Sequence, residues 1–540
     1  MARMRTTDTS EPFSVPSRRA ADLLAEGLAA RGVRHVFGMP GSHTTTVYDA
    51  FRLRDDLETI LIRNEQAAAF AADGYSRVTS TPGVVCTTAG PGATNALTGV
   101  AEAWADGVPI LLLAGQVNAD RMDIECGAYH EIDLLALCRP VTKFAANVRD
   151  PGQVGSLLDQ AFQAMLGGRR RPAALILPQD VMRAEARELP KPPAIVNRHE
   201  SVDITTLEKA SRLLREAKRP IILAGGGADG LGPQVRTLAD RLNALVVTSL
   251  NGKGVLSEFE KPSLGHARSA RAKVALPHAD AMLAIGCRFT EVMTEWRRMP
   301  VPANLIQIDI DPESIGTNHP VAVGFVSDAR MAIEGLLRLI PEKSHDGWEG
   351  LWEQAHDARP ARPEWLIETI QSTLPPATPV FTDACEIGYR MHTDYRVHGP
   401  RLFFYPSNYI ALGWGFPAAI GAAVGVGPHR HVVSVSGDGG FVMTCQELAT
   451  VARYHLNVIA IVHNDSTYGA IKNIQKRVHD GRYRDVDLNN PDFLKLADAF
   501  GVPAARAGDP DSFRSQLEAA LDRTGPSLIE VPDDWRAIRG

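Results

Sequence analysis

An aspartate set among glycines, Gly437-Asp438-Gly439-Gly440, follows the apolar run from His431 to Ser436 and precedes a helix-like pattern from about Val442 to Arg453. In open α/β sheets, ligands bind beyond the carboxyl ends of strands, and a glycine turn lets backbone N–H groups and a helix N-terminus face a phosphate. A carboxylate in that place would repel a phosphate unless a cation lay between them. Asp438 is therefore expected to be a metal ligand, with Mg²⁺ bridging it to phosphate oxygens. The next apolar run, NVIAIVHNDSTYG, ends in Asn464, Asp465, Ser466 and Thr467. Consecutive parallel strands are often neighbours, which would bring Asp465 and a backbone carbonyl near Thr467 to the same cation. On the tripeptide alone, an ordinary turn is the commoner use of Gly-Asp-Gly. The acid at the end of the second strand shifts the balance towards a metal.

These residues need a scaffold that returns strand ends to one edge. The chain has 540 residues, too many for one hydrophobic core, and three domains or so are expected. Short apolar runs (GVVCTT, PIILAG, MLAIGCR, LIQIDI, HVVSVSG) alternate with helical patterns, which predicts α/β domains with parallel sheets covered by helices. Two proline-bearing polar stretches, 188–200 and 341–363, read as linkers. They predict a flexible tail at 1–17 and domains at 18–187, 200–342 and 363–540.

With 22% charged residues and a net charge of -6, the chain has no electrostatic reason to seek nucleic acid or an acidic membrane, and small molecules are the expected partners. The six cysteines are scattered without zinc-site spacing, as expected of a protein from a reducing cytoplasm. No apolar segment is long enough to span a bilayer.

Gly437-Asp438-Gly439, followed about 26 residues later by Asn464-Asp465, resembles the signature of thiamin diphosphate (ThDP) enzymes. The resemblance extends to VRHVFGMPGSHTTTVYDAF, RNEQAAAFAADGYSR, TTAGPGATNALTGVAEAWADGVPILLLAGQV and PSNYIALGWGFPAAIGAAVG, in family order, and points to the acetolactate synthase and benzoylformate decarboxylase branch. It implies three doubly wound parallel-sheet domains: pyrimidine-binding, central and diphosphate-binding. It also implies ThDP and Mg²⁺ as cofactors, and an active site between two chains of a homodimer or homotetramer.

The resemblance makes Glu65 the acid that hydrogen-bonds the cofactor pyrimidine N1′, in an apolar setting that suits a shared proton. Read alone, Glu65 is a solvated glutamate favoured at a helix start. Asn95, Gly437, Gly439, Gly440 and Tyr468 fall at cofactor-binding positions, and Asp438, Asp465 and Thr467 at the metal positions. Leu412 falls on the apolar wedge beneath the cofactor, and the Ile410 carbonyl would accept from the 4′-amino group. Two positions depart from the family: Asp465 stands where the second Asn is usual, and Ile410 where Gly is usual.

Gly225, Gly227 and Gly230 match a dinucleotide fingerprint, but no acid closes the next strand, so a structural turn is expected and FAD is disfavoured. Tyr129-His130-Glu131, Gln179 and Ile474 depart from the acetolactate synthase pattern. Ser42, His43 and His130 are candidates to bind a substrate carboxylate or relay protons, since histidine titrates near neutrality. Each histidine is as readily an ordinary turn or helix residue. Gln116 and Lys143 match recurring family positions.

The expected activity is decarboxylation of a 2-oxo acid, then protonation or carboligation. The alternatives are acyl transfer to a second acceptor, an FAD-linked 2-oxo acid oxidoreductase, and a non-catalytic ThDP-binding protein.

Overall fold

The computed structural model describes residues 18–124, 126–187, 192–196, 202–341, 347–361 and 364–533. The predicted tail at 1–17 lies outside them.

Three six-stranded sheets, every pair parallel, form the frame. The first contains β1 (His35–Gly38), β2 (Glu58–Leu61), β3 (Gly83–Thr87), β4 (Ile110–Gln116), β5 (Phe144–Asn147) and β6 (Ala173–Pro178), in the order β2-β1-β3-β4-β6-β5. The central sheet contains β7 (Pro220–Ala224), β8 (Leu245–Thr248), β9 (Ser263–His266), β10 (Ala281–Ile285), β11 (Asn304–Asp309) and β12 (Val323–Val326), in the order β12-β11-β10-β7-β8-β9. That is the doubly wound order in which the strand sequence reverses beside the first strand. The third contains β13 (Val380–Thr382), β14 (Phe403–Phe404), β15 (Val432–Gly437), β16 (Val458–Asn464), β17 (Ala504–Arg506) and β18 (Ser527–Pro532), in the order β14-β13-β15-β16-β18-β17.

The inner strands are largely apolar, as sheets covered on both faces require, with Ser434 and Ser436 of β15 paired to each other at 3.3 Å. Every residue of β3, β4, β6, β7 and β15 is buried. The predicted α/β class and the three parallel-sheet domains are borne out.

The first and third domains share one apolar cluster that includes Phe37, Phe70, Trp414, Phe416 and Phe441. Its spine is the crossing of the Glu65–Thr79 helix with the Gly415–Val426 helix. The crossing is close because glycines meet backbone: a Cβ on Gly74 would stand 2.0 Å from the Ala418 carbonyl oxygen, and one on Gly421 would stand 1.7 Å from that of Ala71.

Two local expectations are corrected. The stretch 341–363 is not simply a linker: Trp348 is buried, its indole N–H donates to the Pro220 carbonyl at 3.3 Å, and Leu351–Asp357 is helical. Its aromatic residues outweigh its prolines. The turn at Asp438 is also shorter than predicted, because the helix Asp438–Thr444 starts directly after β15.

Candidate active site

The third domain brings the sequence-predicted acids together. β15 and β16 are neighbours, with Gly437 opposite His463, so the chain leaves both strands at one edge with Asp438 beside Asn464 and Asp465. The Asn490 side-chain amide bridges them, donating to Asp438 Oδ2 at 2.6 Å and to Asn464 Oδ1 at 2.9 Å. Burial pushes the Asp438 carboxyl up to about 6, and the charge of Asp465 adds to the effect. Asp465 Oδ1 accepts from the N–H and the hydroxyl of Thr467, both at 3.0 Å. Tyr468 lies over Gly439, where a Cβ would come 2.6 Å from its ring.

Asp438 and Asp465, with the side-chain amide of Asn464 beside them at the same sheet edge, offer oxygen donors of the hard kind that fits Mg²⁺. Among the described residues, no three His, Cys, Asp or Glu side chains gather as a metal site. A cation here would complete its shell with backbone, phosphate or water oxygens.

Beside this edge, Ile410 takes a left-handed φ of +62°, an outlier for a β-branched residue. Leu412 is half-buried. A Cβ on Gly440 would come 3.3 Å from Leu412 Cδ1 and 2.8 Å from Asp383 Oδ2. The buried Asp383 accepts from the Gly413 N–H at 3.0 Å, and burial holds its carboxyl up at about 6.

The first domain builds a second cluster. Glu65 opens its helix behind Asn64, whose side chain accepts from the Gln66 N–H and caps the helix. Glu65 is only 6% exposed. Its Oε2 accepts from the Asn95 amide at 3.1 Å, and a Cβ on Gly92 would crowd Oε1 at 3.2 Å. Next to Gly92 stands Thr88, whose hydroxyl lies 3.4 Å from His43 Nδ1.

His43 is buried, and Ser42 Oγ is 3.2 Å from the same nitrogen. Burial, then the neighbouring His130, lowers the His43 pKa, so the ring is neutral at pH 7. His130, at φ +70°, stacks on Tyr129 with ring centroids 3.8 Å apart, and its buried Nδ1 has no hydrogen-bond partner. Gln116 holds this loop by donating to the Ile132 carbonyl at 2.9 Å.

Glu65, Asn95, Ser42, His43 and His130 thus form one group, and Asp438, Asp465, Thr467, Tyr468 and the glycines form another beside Leu412. Among the described residues no hydrogen bond joins the two groups. Lys143 joins neither: its ammonium donates to the carbonyls of Gly167 and Arg169. Gln179 begins a short helix and accepts from Arg183, while Ile474 is exposed on the helix Gly469–Val478.

Sequence reasoning missed Asn490, Asp383, Thr88 and Glu102, the last of which accepts from the Ala411 N–H. Asp383 follows directly on β13, and the strand-end rule applied to Asp438 would have found it. Asn490, in a loop, carries no such signal.

A cavity of about 440 Å³ opens at the strand ends of the central sheet, lined in part by Gly226, Gly227, Asn251, Arg288, Asp309 and Asp328. Packing accounts for two glycines of the fingerprint, Gly225 and Gly227. A Cβ on Gly225 would stand 2.1 Å from the Gly286 carbonyl oxygen, and one on Gly227 would stand 2.7 Å from Gly286 Cα.

Three family models match the chain: thiamine pyrophosphate enzyme N-terminal TPP binding domain at residues 18–137, central domain at 207–336, and C-terminal TPP binding domain at 386–531. The probable acetolactate synthase large subunit of Methanocaldococcus jannaschii is 34% identical, over 96% of this chain and 92% of the relative. The acetolactate synthase large subunit of Haemophilus influenzae is 33% identical, over 93% and 92%. The acetolactate synthase isozyme 3 large subunit of Escherichia coli is 31% identical, over 95% and 94%. The chain belongs to the thiamine pyrophosphate enzyme family, in the branch that contains the acetolactate synthase large subunits.

Proposed function

We propose that this enzyme binds ThDP through Mg²⁺ and decarboxylates a 2-oxo acid, passing the product on by protonation or carboligation at a site shared by two copies of the chain. The observation that carries the reading is the convergence of Asp438 and Asp465, bridged through Asn490 and Asn464, in a chain matched by TPP binding domains at both ends. Bound ThDP supplies a nucleophilic carbon and an electron sink for decarboxylation.

The chain's own residues do the rest. Asp438, Asp465 and the Thr467 carbonyl hold the cation. Glu65, oriented by Asn95, would accept from or donate to the pyrimidine N1′. Leu412 would support the cofactor from below, and the Ile410 carbonyl would accept from its 4′-amino group. Ser42, His43 and His130 bind the substrate carboxylate and return a proton to the product. The sharing of one site by two copies is supported by the lack, among the described residues, of any hydrogen bond between the two clusters. It is also supported by the helix Gly469–Val478, which has no buried residue and exposes Ile471, Ile474 and Val478.

The test is a screen of purified protein, with ThDP and Mg²⁺, against pyruvate, glyoxylate, aromatic and guanidino 2-oxo acids, measuring CO₂ release and identifying products. CO₂ release from one of them is the expected result; none from any would overturn the reading. Acyl transfer to a second acceptor would appear in the same screen as a product larger than the aldehyde. A second reading attaches to the central cavity, whose place at the strand ends suits a nucleotide such as FAD. Flavin absorbance in the purified protein would establish it.

A further inference from the structure

Among the buried acids that belong to neither cluster, Glu102 touches the backbone next to Ile410. Glu102 lies on the first-domain helix Pro91–Asp106 and is 0% exposed, yet its Oε2 accepts from the Ala411 N–H of the third domain at 2.9 Å. Its other oxygen, Oε1, is buried without a partner. Burial, with the charge of Asp106 alongside, raises the pKa of its carboxyl.

The contact is part of a wider grip. Asp106 accepts from the Ser407 N–H at 3.0 Å and from the Asn408 amide at 2.6 Å. Asp73 accepts from the Trp414 indole N–H at 2.7 Å. Arg77 bridges the two aspartates, at 2.8 Å from Asp73 and 3.0 Å from Asp106. First-domain acids therefore hold the chain at 407, 408, 411 and 414. Within that span lies Ile410, in its left-handed conformation.

The Ala411 N–H and the Ile410 carbonyl belong to one peptide group. That group is planar and trans, so its N–H and C=O point in opposite directions. An acceptor fixed on the N–H side fixes the direction of the carbonyl. It also polarises that carbonyl, because hydrogen bonds on the two ends of one amide reinforce each other.

We propose that Glu102 is a positioning residue that aims and polarises the Ile410 carbonyl at the 4′-amino group of the cofactor. This rests on the reading of Ile410 as a cofactor contact. The same helix carries Asn95, the partner of Glu65, seven residues earlier and about 10 Å away along its axis. If two copies share each site, one helix touches both sites.

The test uses Glu102→Gln, Glu102→Asp and Glu102→Met in the full chain with Mg²⁺. Three quantities are measured: ThDP affinity by calorimetry, the circular dichroism of the bound aminopyrimidine, which reports its tautomer, and the kcat and KM of the substrate found above. Glu102→Gln keeps an acceptor oxygen and is expected to bind ThDP within about twofold of wild type with an unchanged spectrum. Glu102→Met leaves the Ala411 N–H unpaired and is expected to bind ThDP about tenfold more weakly. It should also lose tautomer signal and lower kcat at unchanged KM.

Glu102→Asp is one methylene shorter and should fall between the two. It decides the matter by the same measurements if Glu102→Met does not fold. Equal ThDP affinity and an unchanged spectrum in Glu102→Met and Glu102→Asp would overturn the role, even if their melting temperatures fall, and would leave the ThDP reading intact. A wild-type protein that binds no ThDP would overturn both.

Discussion

Counted from its own first strand, the third sheet has the same order as the first, 2-1-3-4-6-5, but the two sheets put different chemistry at their strand ends. In the third domain, acids at the ends of β13, β15 and β16 (Asp383, Asp438, Asp465) meet glycines and the amide of Asn490. In the first, the acid opens an alanine-rich helix after β2, is buried, and is touched by Asn95. One arrangement gathers acids, as the proposed cation would require. The other removes water from a single carboxyl, as the proposed proton sharing would require. The strand order supplies places, and the residue that follows each strand decides what a place does. The central sheet, with its different order, has close-packed glycines and a cavity at the equivalent edge.

The comparison can be broken or sharpened by substitution. Asp438→Ala should weaken Mg-ThDP binding by more than about 100-fold in calorimetry, since even groups behind a metal ligand matter by about 10- to 100-fold. Tight binding by that variant would dissolve the distinction between the two clusters. Glu65→Gln should lower kcat about 100-fold while keeping ThDP affinity, the signature of a lost proton-sharing group. A variant with wild-type turnover would favour a non-catalytic ThDP-binding protein.

Gly421→Ala should cost about 2 kcal/mol in denaturant unfolding, because its methyl group would meet the Ala71 carbonyl where the two domains cross. No loss would mean that the crossing gives way. Ile410→Gly should raise stability by about 1 kcal/mol by releasing left-handed strain, with the carbonyl contact retained. Lost ThDP binding would show that the isoleucine side chain itself is needed. Asp465→Asn should change ThDP affinity by less than about threefold, since it keeps an oxygen ligand and removes a charge beside Asp438.

Much of this was legible in the chain. Alternating apolar runs and helical patterns announced parallel sheets, because strands covered on both faces are near-continuous apolar runs. The acids after β15 and β16 stood out for the same reason: a charge directly after such a run sits at a sheet edge, where ligands bind. The linker at 341–363 misled because proline and charge outweighed Trp348, whose burial depends on a strand more than a hundred residues away.

By itself, the sequence determined the class of fold, the strand ends that carry acids, and the family motifs, since each of these rests on neighbouring residues and their periodicity. Only the tertiary structure decided that Asn490 spans two strand ends, that His43, Thr88 and His130 meet, and that Glu102 reaches Ala411 across 309 residues. These are contacts between distant segments. No local pattern encodes them, because they exist only once helices and sheets have packed and buried polar groups have had to find partners.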